Sequence, residues 1–301
     1  MHNKTAVCFG EVLWDLLPAG AVAGGAPMNV ACQLTNLGLK AIMISSVGND
    51  DLGRQLLDFL RQKGVDTSLI GTDPEFPTGT VNVSLDDKGI PSYEIVQPVA
   101  WDYIDLSEAA LDAVGRADAF VFGSLAARSE TTLKTLEGLL EAASFPVFDV
   151  NLRAPFYEEK TVNELLKKAL LLKLNDEEID ILCGWRAFKG GQPAQMEFLK
   201  DEYHLDAVVL TRGAKGAALL DDSGLYEHSG YRVQVADTVG SGDAFLAGFL
   251  SQWLGGASPL ECLSFACATG ALVATLPGGT PDIDASMVRE LMHGSTPHRR
   301  C

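Results

Sequence analysis

The sequence predicts an α/β fold built on a mostly parallel sheet with helices on both faces, accompanied by a small β unit. Two observations carry this. From about residue 105, short apolar runs alternate with helical stretches, the pattern of a parallel sheet whose strands are buried on both sides. Between residues 79 and 97 the pattern changes to strict apolar/polar alternation around a polar turn, which describes a hairpin solvated on one face.

The elements follow in order. Residues 5–10 (TAVCFG) form an apolar run ending in glycine, a buried strand, after which Gly10-Glu-Val-Leu-Trp-Asp15 is expected to leave the strand as a loop. Pro27 to Leu37 is a helix with proline in its first turn, and Ala41 to Val47 is a second strand. Within Asp51–Gln62, Leu52, Leu56, Leu57, Phe59 and Leu60 share a helical face. Thr80-Val-Asn-Val-Ser-Leu85 and Ser92–Val96 are the hairpin strands, joined through Asp86-Asp-Lys-Gly89. Ala119–Phe122, Val147–Val150, Leu170–Leu174 and Ala207–Leu210 are buried strands, with helices over Glu130–Ala143 and Thr161–Lys168 between them. Short strands occupy 215–235, two long apolar helices cover 242–254 and 259–274, and the tail His293–Cys301 is expected to fray.

Bulk properties narrow the function. With 301 residues, 47% of them hydrophobic, the chain can bury one large core. A net charge of −17 repels phosphate backbones and argues against nucleic acid as a partner. The six cysteines are scattered and unpaired in sequence, which suits a reducing cytoplasm rather than a zinc site. No apolar stretch reaches membrane-spanning length and no signal pattern opens the chain, so no membrane partner is expected. There is no G-x-x-x-x-G-K-[ST], no G-x-G-x-x-G after the first strand, no H-E-x-x-H and no G-x-S-x-G, so P-loop, simple dinucleotide, zincin and α/β-hydrolase chemistries lose ground.

Several segments carry chemistry. In Asp237-Thr-Val-Gly-Ser-Gly-Asp243, Gly240, Ser241 and Gly242 precede an apolar helix whose free first-turn amides attract an anion. Asp243 then stands where it can take a proton from an attacking hydroxyl, although it also suits a helix cap. Gly24, Gly25 and Asn29 offer a bare backbone and an amide side chain for a polyol, and a carboxylate within Gly10–Asp15 can accept from vicinal hydroxyls, although each segment equally suits turn chemistry. Asn151 and Arg153 leave the carboxyl end of a strand, where open α/β sheets bind ligands. Asn175 and Glu178 lie one helical turn apart and suit either the hydration shell of Mg²⁺ or a capping box. Thr211, Gly213, Lys215 and Gly216 suit either nucleotide phosphates or a tight turn.

Taken together these segments resemble the PfkB (ribokinase-like) carbohydrate kinase family. The resemblance runs from Gly10-Glu…Asp15 through Gly24-Gly25-x-Pro27-x-Asn29-x-Ala31, Gly38, Gly48, Asp50 and Gly53, then Asn175-x-x-Glu178 and Thr211-x-Gly213, to Asp237-Thr-x-Gly-x-Gly-Asp243. It implies a three-layer α/β/α domain across 1–301 with a β-sheet lid over about 79–103. It also implies transfer of the ATP γ-phosphate to a primary sugar hydroxyl. Asp243 would be the base, with the amides from Gly240 to Asp243 as its anion hole. Asp15, Gly24, Gly25, Asn29, Asn151 and Arg153 would meet the sugar. Asn175, Glu178, Thr211, Gly213 and Gly216 would serve ATP, Glu178 holding Mg²⁺ through water. Asp237 and Thr238, with Gly278 and Gly279, resemble residues beside a K⁺ site. Pro77-Thr-Gly-Thr80, Ala100-Trp-Asp-Tyr103, Phe122-Gly-Ser-Leu125 and Asp149-x-Asn151-x-Arg153 resemble the fructokinase branch, making fructose the expected acceptor. The 2-keto-3-deoxygluconate kinases share the last of these motifs. Ribokinase activity, or a silent sugar- or nucleotide-sensing role, would also suit the same scaffold. Ser241 replaces an alanine common in the family. Lid sheets in the family often pair, which implies a homodimer.

Overall fold

The computed structural model describes residues 4–17, 20–85 and 91–294. The chain begins with β1 (Thr5–Phe9), β2 (Leu13–Leu17), β3 (Gly20–Gly24), α1 (Ala26–Asn36), β4 (Lys40–Gly48), α2 (Asp51–Gln62) and β5 (Asp66–Asp73). Next come β6 (Gly79–Leu85), β7 (Pro91–Ile95), α3 (Glu108–Arg116), β8 (Ala119–Gly123), α4 (Glu130–Ala142), β9 (Pro146–Asp149), α5 (Glu159–Leu166) and β10 (Leu171–Asn175). The C-terminal half adds α6 (Asp176–Trp185), α7 (Gln192–Tyr203), β11 (Ala207–Thr211), β12 (Ala217–Asp221), β13 (Gly224–His228), α8 (Ser241–Trp253), α9 (Pro259–Ala274) and α10 (Ala285–Met292). No described helix is long and apolar enough to cross a membrane.

Nine strands form the main sheet in the order β13-β12-β11-β10-β9-β8-β1-β4-β5. The pairs from β11 to β5 are parallel, and β12 and β13 close one edge as an antiparallel hairpin. Alternate side chains of each strand enter opposite layers. On one face Phe9, Phe120, Phe122 and Phe148 lie under α3 to α7, with the Phe122 and Phe148 rings stacked at 4.9 Å. On the other, Cys8, Met43 and Val121 lie under α1, α2, α8 and α9, while α10 packs its Val288 against the α9 side. This is the three-layer arrangement expected from the alternation.

Strand order reverses at β1. The chain moves from β1 to β4 and β5 on one side, then returns to β8 and continues outward on the other. Such a switch point opens a crevice at the carboxyl ends of the strands, where Glu11, Asp149 and Asn175 emerge.

The second sheet is larger than the expected hairpin. Its order is β3-β2-β6-β7, so residues 13–24 supply two strands beside β6 and β7. Asp15, expected in a loop, lies on β2 opposite Val22 and Val81. Its carboxylate interrupts the apolar run, which is what hid the strand. Residues 99–103 do not belong to this sheet: Val99 and Trp101 are fully buried in the main core with Val7 and Phe9. Arg128 fixes that junction. Its guanidinium donates to both Asp102 oxygens at 2.7 and 2.9 Å and to the Val96 carbonyl at 2.9 Å, and it stacks 3.9 Å from the Trp101 ring. Strand β5 gives no signal in the sequence, because as an edge strand it has no buried run. The turn at 86–89 lies outside the described residues, as does the tail from 295 onward; His293 and Gly294 close α10 through bonds to Arg289 and Leu291.

Candidate active site

Helix α8 starts at a left-handed residue, Gly240 (φ 72°), with no side-chain cap. The Ser241 amide turns back to the Thr238 carbonyl at 3.2 Å, and Gly242 and Asp243 follow in the first turn, where a helix supplies no internal acceptors. Those amides and the helix dipole make the turn attractive to an anion. The turn is held from behind by the loop at 278–279: a Cβ on Gly240 would lie 2.3 Å from the Gly279 carbonyl oxygen. Asp237 braces the two loops, accepting from the Val239 amide at 3.0 Å and the Gly278 amide at 3.1 Å.

Asp243 faces α1. Asn29 Nδ2 donates to Asp243 Oδ2 at 2.8 Å across 214 residues of sequence, while Asn29 Oδ1 is buried with no partner in the described structure. Burial pushes the Asp243 carboxyl up to about 6, and Asp149 adds to this; Lys173, the Asn29 hydrogen bond and Arg153 oppose it. Lys173 on β10 donates to both Asp149 oxygens at 2.8 and 3.0 Å. Burial alone would lower the Lys173 ammonium, but Asp149, Glu178 and Asp243 outweigh it and hold it above the usual range. Glu11, 3% exposed, accepts from the Ala26 amide at 3.3 Å through Oε1 and leaves Oε2 without a partner. Its carboxyl is pushed up to about 7 by burial, with Asp243 adding to it.

From the sequence Lys173 is not singled out, and Glu11 enters only as part of the Gly10–Asp15 segment. The available signal was a charged residue inside or directly after an apolar run, at positions 173 and 11.

The glycines and polar residues of the N-terminal segments converge here. A Cβ on Gly24 would lie 2.6 Å from Asp15 Oδ2, so the carboxylate rests on bare backbone, and burial raises the Asp15 carboxyl. Gly25 caps α1 at φ 117°, where a Cβ would lie 2.5 Å from the Glu11 carbonyl oxygen. Asn151 has φ 41°, and the exposed Arg153 follows it, acting on Glu11 and Asp243 through its charge.

Asn175, Glu178, Thr211, Gly213 and Gly216 form a second group along the strand ends. Asn175 Oδ1 accepts from the Glu177 and Glu178 amides, each at 2.9 Å, while Glu178 Oε2 accepts from the Asn175 amide at 2.9 Å. This is a complete capping box. Glu178 Oε1 also accepts from the Leu152 amide at 2.9 Å, tying α6 to the loop carrying Asn151 and Arg153. Thr211 lies opposite Asn175 in register, and its hydroxyl donates to the Leu174 carbonyl at 3.3 Å. Gly213 (φ 54°) and Gly216 (φ 84°) turn the chain into β12, and a Cβ on Gly216 would meet the His228 carbonyl oxygen.

Among the described residues no three His, Cys, Asp or Glu side chains form a metal cluster. Each Glu178 oxygen takes one backbone donor and has a lone pair left, which fits a hydrated Mg²⁺ carried by a nucleotide. Residues 237–238 and 278–279 meet, but both Asp237 oxygens already serve amides.

A family model described as pfkB family carbohydrate kinase matches residues 19–285. Among curated relatives, probable fructokinase-6, chloroplastic, of Arabidopsis thaliana is 30% identical, over 97% of this chain and 82% of its own length. The crystal structure of fructokinase with bound ATP from Xylella fastidiosa matches with a TM-score of 0.86 at 25% identity, covering 97% of this chain and 99% of that one. Fructokinase from Vibrio cholerae O395, in its fructose, ADP and calcium ion bound form, matches at 0.83 and 25% identity over 96% of this chain and 99% of that one.

Proposed function

This chain belongs to the pfkB family of carbohydrate kinases and is a sugar kinase, and on that premise we propose that it phosphorylates fructose at its 6-hydroxyl with ATP. The observation that carries the site assignment is the Asn29–Asp243 hydrogen bond at the start of α8. It holds a carboxylate of raised basicity beside the Gly242 and Asp243 amides, for which the helix supplies no internal acceptor. Asp243 takes the proton of the attacking hydroxyl, and the Gly240–Asp243 backbone with Ser241 and Gly242 faces the charge of the transferring phosphoryl group. Asp15, Gly24, Gly25, Asn29, Asn151 and Arg153 bind and orient the sugar. Asn175, Glu178, Thr211, Gly213 and Gly216 line the nucleotide side. Mg²⁺, held through water at Glu178, would neutralise phosphate charge when bound. A monovalent cation at Asp237 and Thr238 would share the Asp237 carboxylate with the Val239 and Gly278 amides.

The second sheet acts as a lid that keeps water from the phosphoryl group. Among the described residues β3 and β7 each pair with a strand on one side only, and we extend the proposal to a homodimer formed through this sheet. Five buried free cysteines suit a cytoplasmic setting.

Fructose is supported by the likeness to fructokinases of a plant and two bacteria. Initial rates with ATP and fructose, ribose or 2-keto-3-deoxygluconate should give the highest kcat/KM for fructose. A better rate with another acceptor would replace the substrate and leave the kinase reading intact. Asp243→Asn should fold, bind both substrates and lose roughly 10²–10⁴-fold in kcat. Near wild-type turnover in that variant would remove the base assignment. A monomer at micromolar concentration in sedimentation would remove the dimer.

A further inference from the structure

Lys173 is out of place in β10. Its neighbours Leu171, Leu172 and Leu174 are fully buried, and Lys173 itself is 7% exposed. Its ammonium spends two hydrogen bonds on Asp149, the residue opposite it in register on β9. A Cβ on Gly242 would lie 3.4 Å from Lys173 Nζ, so the charge stands against the first turn of α8 with only a glycine between. Desolvating two charges costs as much as their attraction returns, so a well-packed apolar pair would serve the fold at least as well. The location of the pair, beneath the anion-attracting turn, is what distinguishes it.

We propose that Lys173, locked by Asp149, is a positioning residue that sets the charge balance under the start of α8 so that Asp243 stays ionised as the phosphoryl group arrives. The inference rests on Asp243 being the base. Asn29 from α1 bonds to Asp243, and the charged groups coupled to it are Glu11 from the exit of β1, Asp149 from β9, Arg153 from the loop after β9, and Lys173 from β10. Burial and Asp149 disfavour its ionised form, while Lys173, Arg153 and Asn29 favour it, and Asp243 in turn raises the Glu11 carboxyl. Glu178 from α6 acts on Lys173 in turn. Lys173 therefore cancels a carboxylate that would otherwise silence its neighbour.

The test is the acid limb of the kcat/KM profile for the sugar, in parallel with a carboxyl ¹³C titration of Asp243 without substrates. Lys173→Met should move the limb up by about one unit or more, lowering kcat/KM at pH 6 by about fivefold or more. Asp149→Asn should move it down. The double variant, which leaves no unpaired charge, should return close to wild type, and Lys173→Arg should rescue. A structural role alone would not shift the two single variants in opposite directions. If Lys173→Met does not fold, Asp149→Asn and the double variant still decide. Limbs and titrations that stay put, or move the same way in both single variants, overturn the proposal. An active Asp243→Asn would instead overturn the base assignment, and the ¹³C titration would still report on Lys173.

Discussion

With Asp243 as the proposed base, the pH dependence of turnover should report on it, because its environment lifts the carboxyl from 3.8 to about 6. That difference corresponds to about 3 kcal/mol against the charged form. A base works only when ionised, so kcat/KM should be half its plateau near pH 6, about a tenth near pH 5, and flat above about pH 7. Stability runs the other way. A carboxyl with a raised folded-state pKa favours the fold fully below its unfolded value, and that contribution fades as pH rises to about 6. Activity lost at pH 5 should therefore return on neutralisation, with the circular dichroism spectrum unchanged throughout. Asn29→Ala removes the hydrogen bond that holds the pKa down, so its limb should lie at higher pH than that of the wild type. ADP release measured at low sugar and saturating ATP from pH 4.5 to 8 provides both limbs. A wild-type profile flat down to pH 4.5, or an Asn29→Ala limb that coincides with it, would refute the reasoning.

Three further perturbations probe other parts of the frame. Gly240→Ala places a Cβ 2.3 Å from the Gly279 carbonyl oxygen on a residue at φ 72°, so it should cost at least about 1–2 kcal/mol and lower kcat more than it changes KM; urea unfolding and steady-state kinetics would show both. Glu11→Gln removes a carboxyl raised from 4.5 to about 7, so it should stabilise the fold by up to about 3 kcal/mol at pH 8 and not at pH 4, read from melts at the two pH values. Arg128→Met leaves Asp102 buried and unpaired and should cost about 3–5 kcal/mol, much of it recovered when Asp102→Asn is added, as denaturant midpoints would reveal.

Much of the architecture was legible because it follows local periodicity. The amphipathic stretch Asp51–Gln62 is a helix with those same bounds, and the four apolar runs after residue 105 are neighbouring strands of the main sheet. What escaped depends on partners distant in sequence. Strand β2 exists because β3 and β6 flank it, and nothing within LWDLL announces that. Asn175 and Glu178 could be read as a capping box or as ligands to a hydrated ion; the box is present, and a lone pair on each Glu178 oxygen keeps the second use open. Glu11 and Lys173 draw their significance from Asp243 and Asp149, which sequence alone places far away.

The route of the chain into and out of β2 and β3 has a mechanical consequence. Strands β2 and β3 are reached from β1 through residues 10–12 and return directly to α1 at Gly25. Any swing of these two strands must turn about bonds at Gly10, Glu11, Gly24 and Gly25. Those residues include one end of the Glu11–Ala26 hydrogen bond and the cap of the helix that presents Asn29 to Asp243. If the small sheet closes as proposed, the pivot shares atoms with the α1 end of the proposed site, and a tilt of β2 and β3 would be registered there.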